Sequence, residues 1–213
     1  MALIVISPEA EDPCEHAVLA QLFAAGLASY HLRKPTWSRD QLVAWLRALP
    51  VEFHSRIVLH THHDLAGEFT LGGVHERETA NPNCHLIGDN LRSRAVHDLP
   101  QLRASIDGYD RLLVSPIFPA FSKPGYGPTE KLPEAELRAA LALPRRAEVI
   151  ALGGIDSSRI QVCRELGFDG VAVLGAIWQA ADPVAAFSSI QKNCGSELAR
   201  DSVTHRAQAR SHA

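Results

Sequence analysis

Short apolar runs rich in β-branched residues recur along the chain, separated by amphipathic stretches of helical period. Runs at 3–7, 29–34, 57–61, 73–75, 85–88, 111–117, 149–153 and 170–174 read as strands. Helical patterns occupy 14–25, 39–49, 99–106, 133–143 and 157–166, with a further one at 184–191. Strand–helix alternation predicts parallel βαβ units, and eight strands in this length point to a closed (β/α)₈ barrel, an α/β fold in a single domain over 1–192. The stretch 64–88 is too short for two full helices, so one-turn or irregular connections are expected there. Residues 193–213 lack apolar periodicity and read as a disordered tail.

Local punctuation agrees with this frame. Ser38 is a good N-cap for the helix at 39–49, and Pro50 stops it. Asp156 is placed to cap the helix at 157–166, with Gly167 at its C′ position. Asp182-Pro183 reads as a cap and first helical turn.

Composition narrows the function classes. The 213 residues are 46% hydrophobic and 21% charged, with a formal net charge of −3. Near-neutral charge, with no basic stripe interleaved with aromatics, argues against nucleic-acid binding. No apolar run approaches the roughly 20 residues of a membrane span, and the run from Met1 to Ser7 lacks a basic leader segment. A cytoplasmic location is expected. Cys14, Cys84, Cys163 and Cys194 are scattered without a CxxC pair, which suggests reduced thiols rather than zinc or disulfides.

The best chemical motif is split across the last two strands. Gly153-Gly154 ends one strand just before a capped helix, and Leu174-Gly175 ends the other. Barrels commonly bind phosphate at the loops after strands seven and eight. Glycines let the backbone approach an anion, and N–H groups at a helix start point at it. The plainer reading is that these glycines only make tight turns. After the sixth strand comes a loop of prolines and glycines, 115–127, carrying Ser122 and Lys123, a candidate lid over a charged phosphate group.

At this point the chain resembles the thiamine-phosphate synthase/TenI family. The loop Pro116-Ile117-Phe118-Pro119-Ala120-Phe121-Ser122-Lys123 is similar to the family's GPIFPTxTK. The segments VIALGGI and GVAVLGAIW resemble IAIGGI and GVAVVSAI, His31-Leu32-Arg33-Lys34 resembles QLREK, Gly73-Val74-His75 resembles DGVH, and Ala95-Val96-His97 resembles SxH. The likeness runs from Leu3 to about Phe187. It implies coupling of an aminopyrimidine methyl diphosphate to a thiazole phosphate with release of pyrophosphate. Small phosphorylated substrates are the implied partners, and Mg²⁺ bridging the diphosphate is the implied cofactor.

The resemblance carries over residue by residue. Arg33 and Lys123 stand as candidate cations, and Gly153, Gly154, Leu174, Gly175 and Ser122 as candidate phosphate contacts. Thr61 and Ala80 occupy the positions of the family's metal-binding aspartates, leaving Glu76 and Glu78, out of register, as the candidate metal ligands. Pro116 occupies the position of the histidine with which the TenI branch tautomerises a thiazole carboxylate phosphate. Histidines are what the chain has instead. His31, His60, His75 and His97 all fall at strand ends facing one rim, and His31 and His97 are candidate proton-transfer groups. The run His60-Thr61-His62-His63 has poor spacing for a metal motif. Three readings stay open: the synthase, a tautomerase with a different histidine as base, and a phosphate-binding regulator that has lost catalysis.

Overall fold

The computed structural model describes residues 1–77, 90–119 and 131–195. Eight parallel strands close into a barrel: β1 (Ala2–Ile6), β2 (Ser29–Leu32), β3 (Ile57–Leu59), β4 (Gly73–Glu76), β5 (Leu91–Val96), β6 (Arg111–Val114), β7 (Glu148–Leu152) and β8 (Gly170–Val173). β1 completes the ring by pairing with β8, Leu3 opposite Val171. Around it run α1 (Glu15–Ala24), α2 (Arg39–Ala48), α3 (Leu65–Glu68), α4 (Leu99–Ser105), α5 (Glu134–Leu141), α6 (Ile160–Leu166), α7 (Gly175–Trp178) and α8 (Pro183–Gly195). The connection between β3 and β4 is the one-turn helix α3, as its length required.

The caps follow from local chemistry. Ser38 and Gln41 form a reciprocal capping box at the start of α2, each side chain bonding the other's backbone N–H. Gly167 ends α6 in the left-handed conformation at φ 97°. Asp156 behaves differently from expectation. Its carboxylate accepts from the N–H and hydroxyl of Ser158, making a turn, and α6 begins only at Ile160. Asp182 caps α8 by accepting from the N–H groups of Val184 and Ala185. That helix continues past 192 to Gly195, because Phe187, Ile190 and Cys194 keep helical spacing and are all buried. The Cys194 carbonyl then accepts from the Met1 ammonium at 3.0 Å, tying the helix to the start of β1.

The fifth strand corrects the sequence reading. It is Leu91–Val96; the segment 85–88 lies outside the described residues. Two arginines in six residues hid it. Both point out of the barrel and are satisfied there: Arg92 donates to Glu76 at 2.9 Å and Arg94 to the Tyr109 hydroxyl at 2.9 Å. Tyr109 in turn donates to the other oxygen of Glu76 at 2.7 Å.

The lumen has two unlike halves. Side chains alternate in and out along each strand. Ile4, Ile6, Leu113, Ile150 and Ala172 fill the side formed by β1, β6, β7 and β8. On β2 to β5, Tyr30, Leu32, Leu59, Val74 and Val96 belong to the outer core beneath the helices. Alternation therefore turns His31, His75 and Ser93 inward, and all three are buried. An apolar half-lumen faces a polar one, and the candidate site lies above both.

Outside β2 sits a buried ion pair. Lys34 Nζ donates to Glu15 at 2.7 Å and to the Ala10 carbonyl at 2.8 Å, while the Tyr30 hydroxyl donates to the other Glu15 oxygen at 2.7 Å. Burial, with Glu15 adding to it, pushes the Tyr30 pKa well above its ordinary value, so the phenol remains a donor.

Candidate functional site

A pocket of about 470 Å³ opens at the C-terminal mouth of the barrel. Gly153, Gly154, Leu174 and Gly175 line it from the ends of β7 and β8. Arg33, His60, His75, Arg77 and His97 line it from the ends of β2 to β5. The ends of parallel barrel strands are where this fold gathers its chemistry.

The glycines are required for two different reasons. Gly154 has φ 60°, and a Cβ there would run into the Pro119 carbonyl and the Arg159 guanidinium. Gly153 has φ 98°, and its Cβ would lie 3.0 Å from Pro116 Cα. Turn geometry and the close approach of the loop after β6 thus dictate both residues. That loop is bonded to the same strand end: Ile117 N–H donates to Leu152 and Phe118 N–H to Gly153. Arg159 adds a staple, donating to the Gly154 carbonyl while its guanidinium lies 5.0 Å from the centre of the Phe118 ring.

Gly175 is unlike these two. A Cβ there would meet only the Gln179 side chain, at an ordinary 3.5 Å, and its φ is not left-handed. Neither the chain's sterics nor its backbone demands glycine at 175, so the space it leaves belongs to the pocket. The short helix α7 that Gly175 opens is anchored by Trp178, whose indole N–H donates to the Ile6 carbonyl at 2.7 Å.

Three of the rim histidines cluster. His31 Nδ1 lies 3.0 Å from His60 Nε2, and the His60 and His75 rings stack with centroids 4.2 Å apart. Burial is the main cause holding all three below the usual histidine pKa, with neighbouring cationic forms adding to it. His75 falls to about 3. The trio is therefore neutral at pH 7.

Below the ordinary unfolded value of about 6.5, the unfolded chain binds protons that the folded chain refuses. Stability present above that pH is lost as pH falls towards the depressed folded values. Each histidine contributes a slope of up to about 1.4 kcal/mol per pH unit. The unfolding temperature, measured in chelator, is expected to fall steadily from pH 7 to pH 5. A flat profile would mean that the cluster is open to water and titrates normally.

His97 stands apart from the trio. Its Nδ1 lies 2.8 Å from the Ser115 carbonyl, which can only accept, so Nδ1 carries the proton. In the neutral ring Nε2 is then the basic nitrogen, as proton transfer would need. Arg33 reaches the mouth in an ion pair with Glu9. Its backbone is held by Ser7, whose hydroxyl accepts from Arg33 N–H at 2.8 Å and donates to Arg33 O at 3.0 Å.

Glu76, a candidate metal ligand from the sequence, does not line the pocket. Its carboxylate is buried outside the barrel between Arg92 and Tyr109, because it follows His75 and so points the other way. Ser122, Lys123, Glu78 and Ala80 lie outside the described residues. Sequence reading missed Arg77 and Arg159. Arg77 follows β4 directly, and its position just past a strand end was the available signal. Arg159 bonds Gly154 in its own loop, but its contacts with Phe118 and the Pro119 carbonyl lie in the loop after β6, which residue order does not report.

Comparison with known proteins places this geometry in context. A family model described as thiamine monophosphate synthase matches residues 3–177. A thiamine-phosphate synthase of Desulfitobacterium hafniense is 31% identical over 170 residues, covering 76% of this chain and 80% of that protein. One from Methanoculleus marisnigri is 32% identical over 190 residues, covering 83% and 86%. Among solved structures, a thiamine phosphate pyrophosphorylase from Bacteroides thetaiotaomicron superposes with a TM-score of 0.75 at 28% identity, covering 92% of this chain and 99% of that one. No helix among the described residues is long and apolar enough to cross a membrane.

Proposed function

The chain belongs to the thiamine monophosphate synthase family, and from that membership we propose that it joins an aminopyrimidine methyl diphosphate to a thiazole phosphate, releasing pyrophosphate. The observation that carries the reading is Gly175: a residue without side chain, for no reason internal to the chain, beside Gly153 and Gly154 at the ends of β7 and β8. That wall suits the phosphate of the thiazole, met by backbone N–H groups.

Departure of pyrophosphate concentrates negative charge on the leaving oxygens and leaves the pyrimidine methylene cationic. Catalysis then consists of holding both partners in line and compensating those charges. Arg33 and Arg77, across the mouth from the glycines, are placed to meet the diphosphate. Arg33 would exchange Glu9 for the substrate. His97, with Nε2 as its basic nitrogen, is suited to accept a hydrogen bond or proton from a substrate. The tautomerase alternative is not favoured, since the proline Pro116 stands at the position of its histidine.

Magnesium, which the family implies, does not fit the described residues. Glu9 is the one carboxylate among the described residues of the pocket wall, and it already pairs with Arg33. Thr61 offers a neutral hydroxyl where an aspartate is expected, and the nearest further donors are imidazoles. A hard ion that seeks octahedral oxygen ligation finds no such set here. The counter-charge assigned to this chain is therefore arginine and, from the loop after β6, Lys123.

Lys123→Ala is expected to weaken diphosphate ligands about tenfold, roughly 1.4 kcal/mol, and monophosphate ligands little. Equal losses for the two ligand types, read by calorimetric titration, would make Lys123 an ordinary surface cation. The activity itself is tested by incubating the pure protein with both precursors and measuring thiamine phosphate and pyrophosphate. Equal amounts of the two products are expected. Bound thiazole phosphate without product would overturn the synthase reading.

A further inference from the structure

We propose that His31, His60 and His75 form a binding site for one first-row transition-metal dication, zinc(II) by ligand preference, at the floor of the pocket. Each residue offers one ring nitrogen, and the three atoms lie within 4.8 Å of one another. In a tetrahedral site with Zn–N of about 2.0 Å, ligand nitrogens are about 3.3 Å apart. His31 and His60 already meet that spacing at 3.0 Å, and small ring rotations close the remainder.

The hydrogen bonds prepare the ligand atoms. Ser93 spends its one hydroxyl proton on the Val74 carbonyl at 3.1 Å, so its oxygen accepts from His75 Nδ1–H at 2.9 Å. That fixes the tautomer and leaves His75 Nε2 as a bare lone pair. A ligand histidine held through its other nitrogen is the usual outer arrangement of a metal site. His31 would enter through Nδ1, the nitrogen 3.0 Å from His60 Nε2, a contact that gives way to the ion. Burial also keeps all three rings neutral, the form that ligates.

His60 and His75 line the pocket while His31 lies beneath it, so a fourth position would open towards the substrate space. Three protein ligands with an open position is the arrangement of sites that bind an exchangeable group. Imidazole nitrogen selects zinc, cobalt or nickel over magnesium. The inference stands on this geometry and not on the synthase reading.

The test is titration of the full-length, metal-stripped protein with Co²⁺ and Zn²⁺ in the absence of substrate, followed by calorimetry and by the visible bands of bound Co²⁺. One equivalent is expected, unaffected by a large excess of Mg²⁺. His60→Ala and His75→Ala should each lower affinity by about 100-fold or more, and Ser93→Ala by about 10- to 100-fold. His31 is wholly buried and its variant risks misfolding, so His60, at the pocket surface, is the decisive position. His205→Asn with His212→Asn should leave binding intact. The site is refuted by the absence of saturable binding, by displacement with Mg²⁺, or by binding that survives His60→Ala and disappears with the His205 and His212 changes. Because the readout uses no substrate, failure of the synthase assay leaves this result standing, and the reverse also holds.

Discussion

Gly175→Val is expected to lower affinity for thiazole phosphate by at least about 100-fold, or 2.7 kcal/mol, in a protein that still folds. The two halves of that result have separate causes. Folding is spared because a Cβ at 175 meets only Gln179, at 3.5 Å, and the backbone is not in the left-handed region. Valine is no poorer a helix former than the glycine it replaces. Binding is lost because the new methyl groups project into the space lined by Gly153, Gly154 and Leu174. Inorganic phosphate should lose affinity in parallel, which calorimetry can read alongside the unfolding temperature. Wild-type affinity in the folded variant would remove the β8 end from the site. Gly154 could not serve for this test, since a side chain there collides with Pro119 and Arg159 whether or not ligand is bound.

The largest loss of stability is expected from Lys34→Met, about 3–5 kcal/mol. Lys34 and Glu15 side chains are 0% and 1% exposed. Removing the lysine leaves the Glu15 carboxylate in the outer core with only the Tyr30 hydroxyl to solvate it. A buried charge stripped of its partner costs more than the intact pair contributed, because desolvation is then uncompensated. The loss approaches the whole stability of a typical domain, about 5–15 kcal/mol. Urea unfolding should show it as a lower midpoint. Adding Glu15→Gln to Lys34→Met should recover part of it, since the neutral amide still accepts from Tyr30. A loss below about 1 kcal/mol would mean that water reaches the pair.

Some of this was legible in residue order. Apolar runs of strand length alternating with helical periods announced the barrel, and Ser38, Gly167 and Asp182-Pro183 marked helix ends that the structure keeps. The glycines at the ends of β7 and β8 were readable as candidate anion contacts because an anion site needs backbone exposed at a strand end, and glycine is visible in sequence. The fifth strand was not readable. Arg92 and Arg94 break its apolar pattern, and only Glu76 and Tyr109, brought in by the fold, make them tolerable there.

The sequence by itself thus determined the order of elements, the closed parallel sheet and the glycines at the ends of β7 and β8, since each rests on local period, turn chemistry or the missing side chain of one residue. It also placed the histidines at a common rim. Only the tertiary structure decided which of them meet. His31 and His75 sit on β2 and β4 and His60 directly follows β3, so residues far apart in the chain become neighbours across the sheet, while His62 and His63 are carried further past the end of β3. The Glu15–Lys34–Tyr30 contact arose in the same way, between α1, β2 and the loop beyond it. Parallel strands need a long crossover between spatial neighbours, and no local pattern reports a distance across that connection.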